Sequence, residues 1–166
     1  MSELKPLKPE LIPQALQKAE RYRLLNEPAE SESICRDVLV ADPANQQALV
    51  WLLLSLTDQI AFNRPAAQEA RSLLPRLESH YEREYYAGVI AEREGKARLR
   101  SGQARSGFHA YELLQRAMSH FEAAERLSAA DNDDAVLRYN SCVRMLVAHP
   151  ELRPEPVEEY EAYMLE

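Results

Sequence analysis

Glycine and β-branched residues are scarce in this chain. Its 166 residues include 4 glycines, and Ile, Val and Thr together number 13, against 23 Ala, 23 Leu and 21 Glu. Strands draw on β-branched side chains, whereas Ala, Leu and Glu favour helices. The deficit excludes a sheet protein and predicts an all-α fold. Cysteine is nearly absent as well. Cys35 and Cys142 stand far apart and fit no metal-binding or redox spacing; they read as reduced core residues. No apolar run is long. The longest, Ala48 to Leu56, is nine residues interrupted by Ser55, whereas a membrane span needs roughly twenty. Met1 to Pro13 carries three prolines and no apolar stretch of signal-peptide length. The expectation is a cytoplasmic protein with no membrane partner.

Positive charge is also in deficit. Lys and Arg number 20 and Asp and Glu 27, for a net charge of −7. Phosphate contacts come from Lys and Arg, so nucleic acid is a disfavoured partner. Motifs that carry chemistry are missing. His80, His109, His120 and His149 form no i, i+4 metal pair and no His-Glu-x-x-His. The close glycine pair, Gly102 and Gly107, lacks the Lys-Ser/Thr that completes a phosphate loop, and there is no Gly-x-Ser-x-Gly elbow. Glu82, Glu84, Glu92 and Glu94 fall at helical-surface spacings and read as solvated faces, not catalytic pairs. No catalytic residue, metal ligand or cofactor site emerges, and the chain is expected not to be an enzyme.

What the chain does have is helical periodicity punctuated by proline. Residues 1–11 read as a flexible N-terminus. A helix starts near Pro13, a good first-turn residue. Asn26-Glu27-Pro28 is a tight turn, and Pro28 opens a second helix that Asp42-Pro43 stops near Ala41. The third helix, Asn45 to about Ile60, is apolar on most faces, which puts it between neighbours or along a binding surface. A fourth runs from Ala66 to about Leu77, and Pro75 should kink it or end it early. Long helices from His80 to about Arg100 and from Phe108 to about Ser128 flank a flexible loop, Ser101 to Gly107. Asp133 to Val147 is the last helix.

The helix pairs repeat. Ile12 to Asn45 spans 34 residues, with Ala19, Tyr22 and Pro43 matching a helix-pair repeat pattern and Ser31, Cys35 and Val38 replacing its Ala, aromatic and Ala. Leu49, Leu52, Ala66, Ala70 and Leu73 follow in phase from Gln46. Ala87-Gly88, Ala91, Gly95, Phe121 and Ala124 continue the phase from Tyr81, once a lengthened hairpin of about 17 inserted residues is allowed. In length and in this pattern the chain resembles the tetratricopeptide repeat family. The resemblance implies an antiparallel helix-hairpin array, an α-solenoid over residues 12–147. Its units lie near 12–45, 46–80 and 81–131, and a lone helix, 132–147, caps the open end. An irregular antiparallel helical bundle is the alternative that patterning leaves open.

In such an array the first helix of each pair lines a concave groove. The resemblance places there Leu16, Gln17, Glu20 and Leu24; Val50, Trp51, Leu54 and Asp58; Glu82, Tyr85, Tyr86, Val89 and Arg93; and Val136, Leu137, Asn140 and Arg144. Trp51, Tyr85 and Tyr86 are the residue types of binding hot spots; packing between helices is the competing role. Chaperone-binding members of the family hold a C-terminal carboxylate with Lys, Asn and Arg. Here Leu16, Glu20, Trp51, Glu82 and Tyr86 occupy those positions, so that clamp is absent.

Two charged stretches stand out. Arg93, Lys96, Arg98, Arg100 and Arg105 are opposed within their own run only by Glu94. They complement a helix C-terminus or form a basic patch for an anionic partner. Residues 148–166 form an acidic tail in which Val157, Tyr160, Tyr163, Met164 and Leu165 are interleaved with glutamates. That pattern suggests docking on the chain's own groove or self-association with a second copy. The function expected is protein-protein adaptor, with a peptide or protein segment in the groove. An anion- or nucleic-acid-contacting module using Arg93 to Arg105 is the alternative.

Overall fold

The structure, a computed structural model, describes residues 3–63 and 65–156. The tail residues Val157, Tyr160, Tyr163, Met164 and Leu165 lie outside that range. Among the described residues the chain is all-α. Its helices are α1 (Ile12–Leu24), α2 (Pro28–Ala41), α3 (Gln46–Asp58), α4 (Ala66–Leu73), α5 (His80–Arg100), α6 (Ser106–Leu127) and α7 (Asp134–Ala148). Short 3-10 turns cover Pro9–Leu11 and Leu74–Arg76.

The punctuation has local causes. Pro13 and Pro28 sit in the first turns of α1 and α2, where a missing N–H leaves no bond unmade. Asn26, at φ 60°, turns the chain out of α1. The Asn45 side chain accepts from the Ala48 N–H at 2.9 Å, and the Ser79 hydroxyl accepts from the Glu82 N–H at 3.2 Å. Such caps satisfy helix-end donors. Pro75 does end α4 early: the helix stops at Leu73 and tightens into the 3-10 turn. α6 begins at Ser106, two residues before the start read from sequence, because Arg105, at φ 62°, completes the chain reversal.

Each helix packs against the next from α1 to α7, and α3 also touches α1 and α5. Cys35, Leu49, Leu53, Leu56, Ala66 and Ala70 form the core of the first four helices, which Ile90 of α5 joins. Val89, Ala110, Leu114, Ala117, Phe121 and Cys142 form the core of the last three. α5 and α6 approach closely because Gly88 has no side chain: a Cβ there would stand 2.6 Å from the Phe121 ring. The segment after α7 folds back on the start of α6. Leu152 is 6% exposed, Arg105 pairs with Glu155, and a Cβ on Gly107 would meet the Glu151 carbonyl oxygen at 2.5 Å. No described helix is long and apolar enough to cross a membrane.

Candidate functional site

α3 buries Leu49, Leu52, Leu53 and Leu56, which leaves Val50, Trp51 and Leu54 on an adjoining face. α5 contributes Glu82 and Tyr86, one turn apart. These five side chains, with Gln46 and Gln47, line a depression of about 370 Å³. The Arg23 guanidinium of α1 lies 5.6 Å from the Trp51 ring centroid, within cation–π range. The indole N–H has no acceptor among the described residues. Burial pushes up the pKa of the Tyr86 hydroxyl, with Glu82 and Tyr85 adding to the shift, so it remains a protonated donor. Burial also raises Glu82 above the usual carboxylate range.

Arg23 leads from this depression into a second one. Its Nε donates to Asp58 Oδ2 at 2.6 Å, and Arg93 pairs with the other carboxylate oxygen. Asp58, Arg93, Lys96, Arg100 and Arg138 line a pocket of about 310 Å³. Behind it Glu92 is fully buried and holds two cations, Lys96 and, at 3.0 Å, Arg138. Four cations from α1, α5 and α7 thus share two carboxylates, and Arg100 adds a fifth positive charge to the pocket wall. The Arg93 pKa falls to about 10, first through burial and then through the neighbouring charges of Arg23 and Arg138. For Arg138 burial acts downward, but the Glu92 carboxylate and the Tyr85 hydroxyl outweigh it and hold the net shift upward. An apolar aromatic surface and an electropositive pocket therefore lie side by side.

Val50, Trp51, Leu54 and Tyr86 come together in one depression. Gln17 and Glu20 are exposed on α1, and Asn140 is half-buried on α7; none of the three lines the depression. Leu16 and Val89 require correction. Leu16, 6% exposed, packs with Ala15, Val38 and Ala48, and Val89, fully buried, packs in the core of the last three helices. Tyr85 stacks on Tyr81 and packs against Phe121, centroids 5.6 and 5.9 Å apart, so its ring belongs to the α5–α6 interface. The basic stretch is not one patch. Arg93, Lys96 and Arg100 enter the pocket, Arg98 lines a separate depression with Gln103 and Leu113, and Arg105 turns to Glu155. Glu92 does not belong to a solvated face.

Arg23 and Arg138 were missed as site residues. The available signal was their helical position: Arg23 stands two turns beyond Leu16 on α1, and Arg138 adjoins Leu137 on α7. Neither a protein-family model, nor a curated protein, nor a solved structure matches this chain.

Proposed function

We propose that the chain is a non-enzymatic adaptor of the cytoplasm, a tetratricopeptide-like array of helix pairs that takes a peptide or protein segment in its groove. One observation carries this reading: Trp51 and Tyr86, from two different helices, line an open depression next to, not within, the core. Aromatic side chains on rigid helices bury large area at little entropic cost, and preorganisation leaves the ligand to bear most of the ordering.

The test is Trp51→Ala combined with Tyr86→Ala. Helical circular dichroism should stay nearly unchanged. Capture of the partner from the native source should weaken by about 2 kcal/mol or more, as hot-spot truncations do. Collapse of helicity would assign both side chains to the core, and undiminished capture would remove the groove from recognition. A second reading, an anion-contacting module, draws on the pocket of Arg93, Lys96, Arg100 and Arg138. A steep loss of affinity with salt would favour it. Docking of residues 148–166 on a second copy is the alternative to docking on the chain's own groove, and sedimentation over a concentration series separates the two.

A further inference from the structure

The pocket beside the aromatic depression collects more positive charge than its own carboxylates neutralise. Arg93, Lys96, Arg100 and Arg138 line it, and Arg23 reaches its Asp58 from α1; among the described residues Asp58 is shared by Arg23 and Arg93, Glu92 by Lys96 and Arg138, and no carboxylate pairs with Arg100. Arg23 touches both cavities, through Asp58 in one and through the Trp51 ring in the other. The surface therefore suits a segment that carries several carboxylates next to aromatic or long aliphatic side chains.

One such segment lies in the chain itself. Residues 157–166 contain Glu158, Glu159, Glu161 and Glu166, no Lys or Arg, and also Tyr160, Tyr163, Met164 and Leu165. The residues before it are fixed beside the loop that follows Arg100. Leu152 is buried, and Glu155 pairs with Arg105. Helices joined by so short a loop lie about 8–10 Å apart. Arg100 and Tyr86 stand about 20 Å apart along α5 at 1.5 Å per residue. Ten extended residues reach about 33–36 Å, enough to run from Glu155 past the pocket to the depression. A competing apolar surface, Leu137, Val143 and Val147 on α7, is exposed but has only Arg144 as a cation on that face.

We propose that residues 157–166 occupy this surface in the same chain, with glutamates in the cationic pocket and a tyrosine or Met164 over Trp51 and Tyr86. This rests on the groove reading above and identifies the chemistry of the ligand: an acidic, aromatic-bearing peptide, for which the chain's own segment is the resident competitor.

Trp51 is the single tryptophan, so its fluorescence reports the occupant directly. The experiment measures acrylamide quenching at low salt. It compares the full chain with a full chain bearing Glu158→Gln, Glu159→Gln, Glu161→Gln and Glu166→Gln. These four positions lie outside the described residues, and matching circular dichroism and Tm for the two chains are the control that the fold is unchanged. The quenching constant of the neutralised chain is expected to exceed that of the unaltered one by about twofold. About 1 M NaCl, with a Debye length near 3 Å, is expected to erase the difference. Arg100→Gln, an exposed cation of the pocket, should shift the unaltered chain in the same direction. Equal constants for the two chains at low salt would overturn the proposal. So would shielding that develops only as protein concentration rises, which would assign the occupant to a second copy. Either result, beside partner binding that is still lost in the Trp51→Ala, Tyr86→Ala chain, would leave the groove reading standing and remove only this occupant.

Discussion

Glu92→Gln tests the charge architecture most directly. The carboxylate is buried from solvent and accepts from Lys96 and Arg138, so the substitution removes one charge from the middle of a three-member cluster. An exposed ion pair is worth well under about 1 kcal/mol, whereas removing one partner of a fully buried pair costs about 3–5 kcal/mol. Here the anion is buried, but each cation is 32% exposed and can recover part of its hydration. Arg23 and Arg93 stand close enough to feel the uncompensated charge. The expected loss lies between the limits, at about 2–3 kcal/mol. For a chain of this length that is a fall in Tm of roughly 4–12 °C. Urea unfolding followed by circular dichroism measures it, with an unchanged slope showing that the same surface unfolds. A loss below about 1 kcal/mol would show that solvent reaches the cluster and that Glu92 is not its keystone.

Three further outcomes follow from packing. Gly88→Ala forces a methyl group against the buried Phe121 ring, 2.6 Å away, and should cost about 1–3 kcal/mol by overpacking; an unchanged urea midpoint would mean that α5 and α6 can part without penalty. Burial pushes the Cys35 and Cys142 thiols up to about 12. A raised pKa depletes the thiolate below it, so at pH 8 only about one thiol in ten thousand is ionised. A disulfide reagent should therefore find neither thiol in the folded chain and both in urea; rapid native reaction would refute their burial. Leu152→Ala should release residues 149–156 from α6, at a cost of about 2 kcal/mol. Cleavage after Arg105, which the segment covers through Glu155, by an Arg-specific protease should accelerate; no change in cleavage would mean that Leu152 does not anchor the segment.

Helix ends were legible because their causes are local. A proline in a first turn and a proline after Leu73 act within four residues of the chain, and both appear where the sequence places them; the Asn45 and Ser79 caps are equally local. The face of α3 was named through the register that the family resemblance implies, and helical spacing is consistent with Val50, Trp51 and Leu54 sharing it. Leu16 and Val89 failed a different test. Whether a stripe meets a neighbour or solvent depends on what packs over it, and here Val38 and Ala48 cover one and α6 covers the other.

Charge was the least legible quantity, and geometry explains why. A run of cations from Arg93 to Arg105 counts neighbours along the chain, while Coulomb's law counts neighbours in space. Asp58 meets Arg93 across 35 residues and Glu92 meets Arg138 across 46. Helical rotation separates Arg98 from Lys96 although they are two residues apart, and it carries them into different depressions. The two carboxylates that organise the pocket are also those that tie α1 to α3 and α5 to α7. Asp58 and Glu92 therefore set stability and pocket potential together. Removing either carboxylate weakens the fold and at the same time strengthens the pull on an acidic ligand. The positive charge of the pocket is bounded from above by what the packing of four helices can withstand.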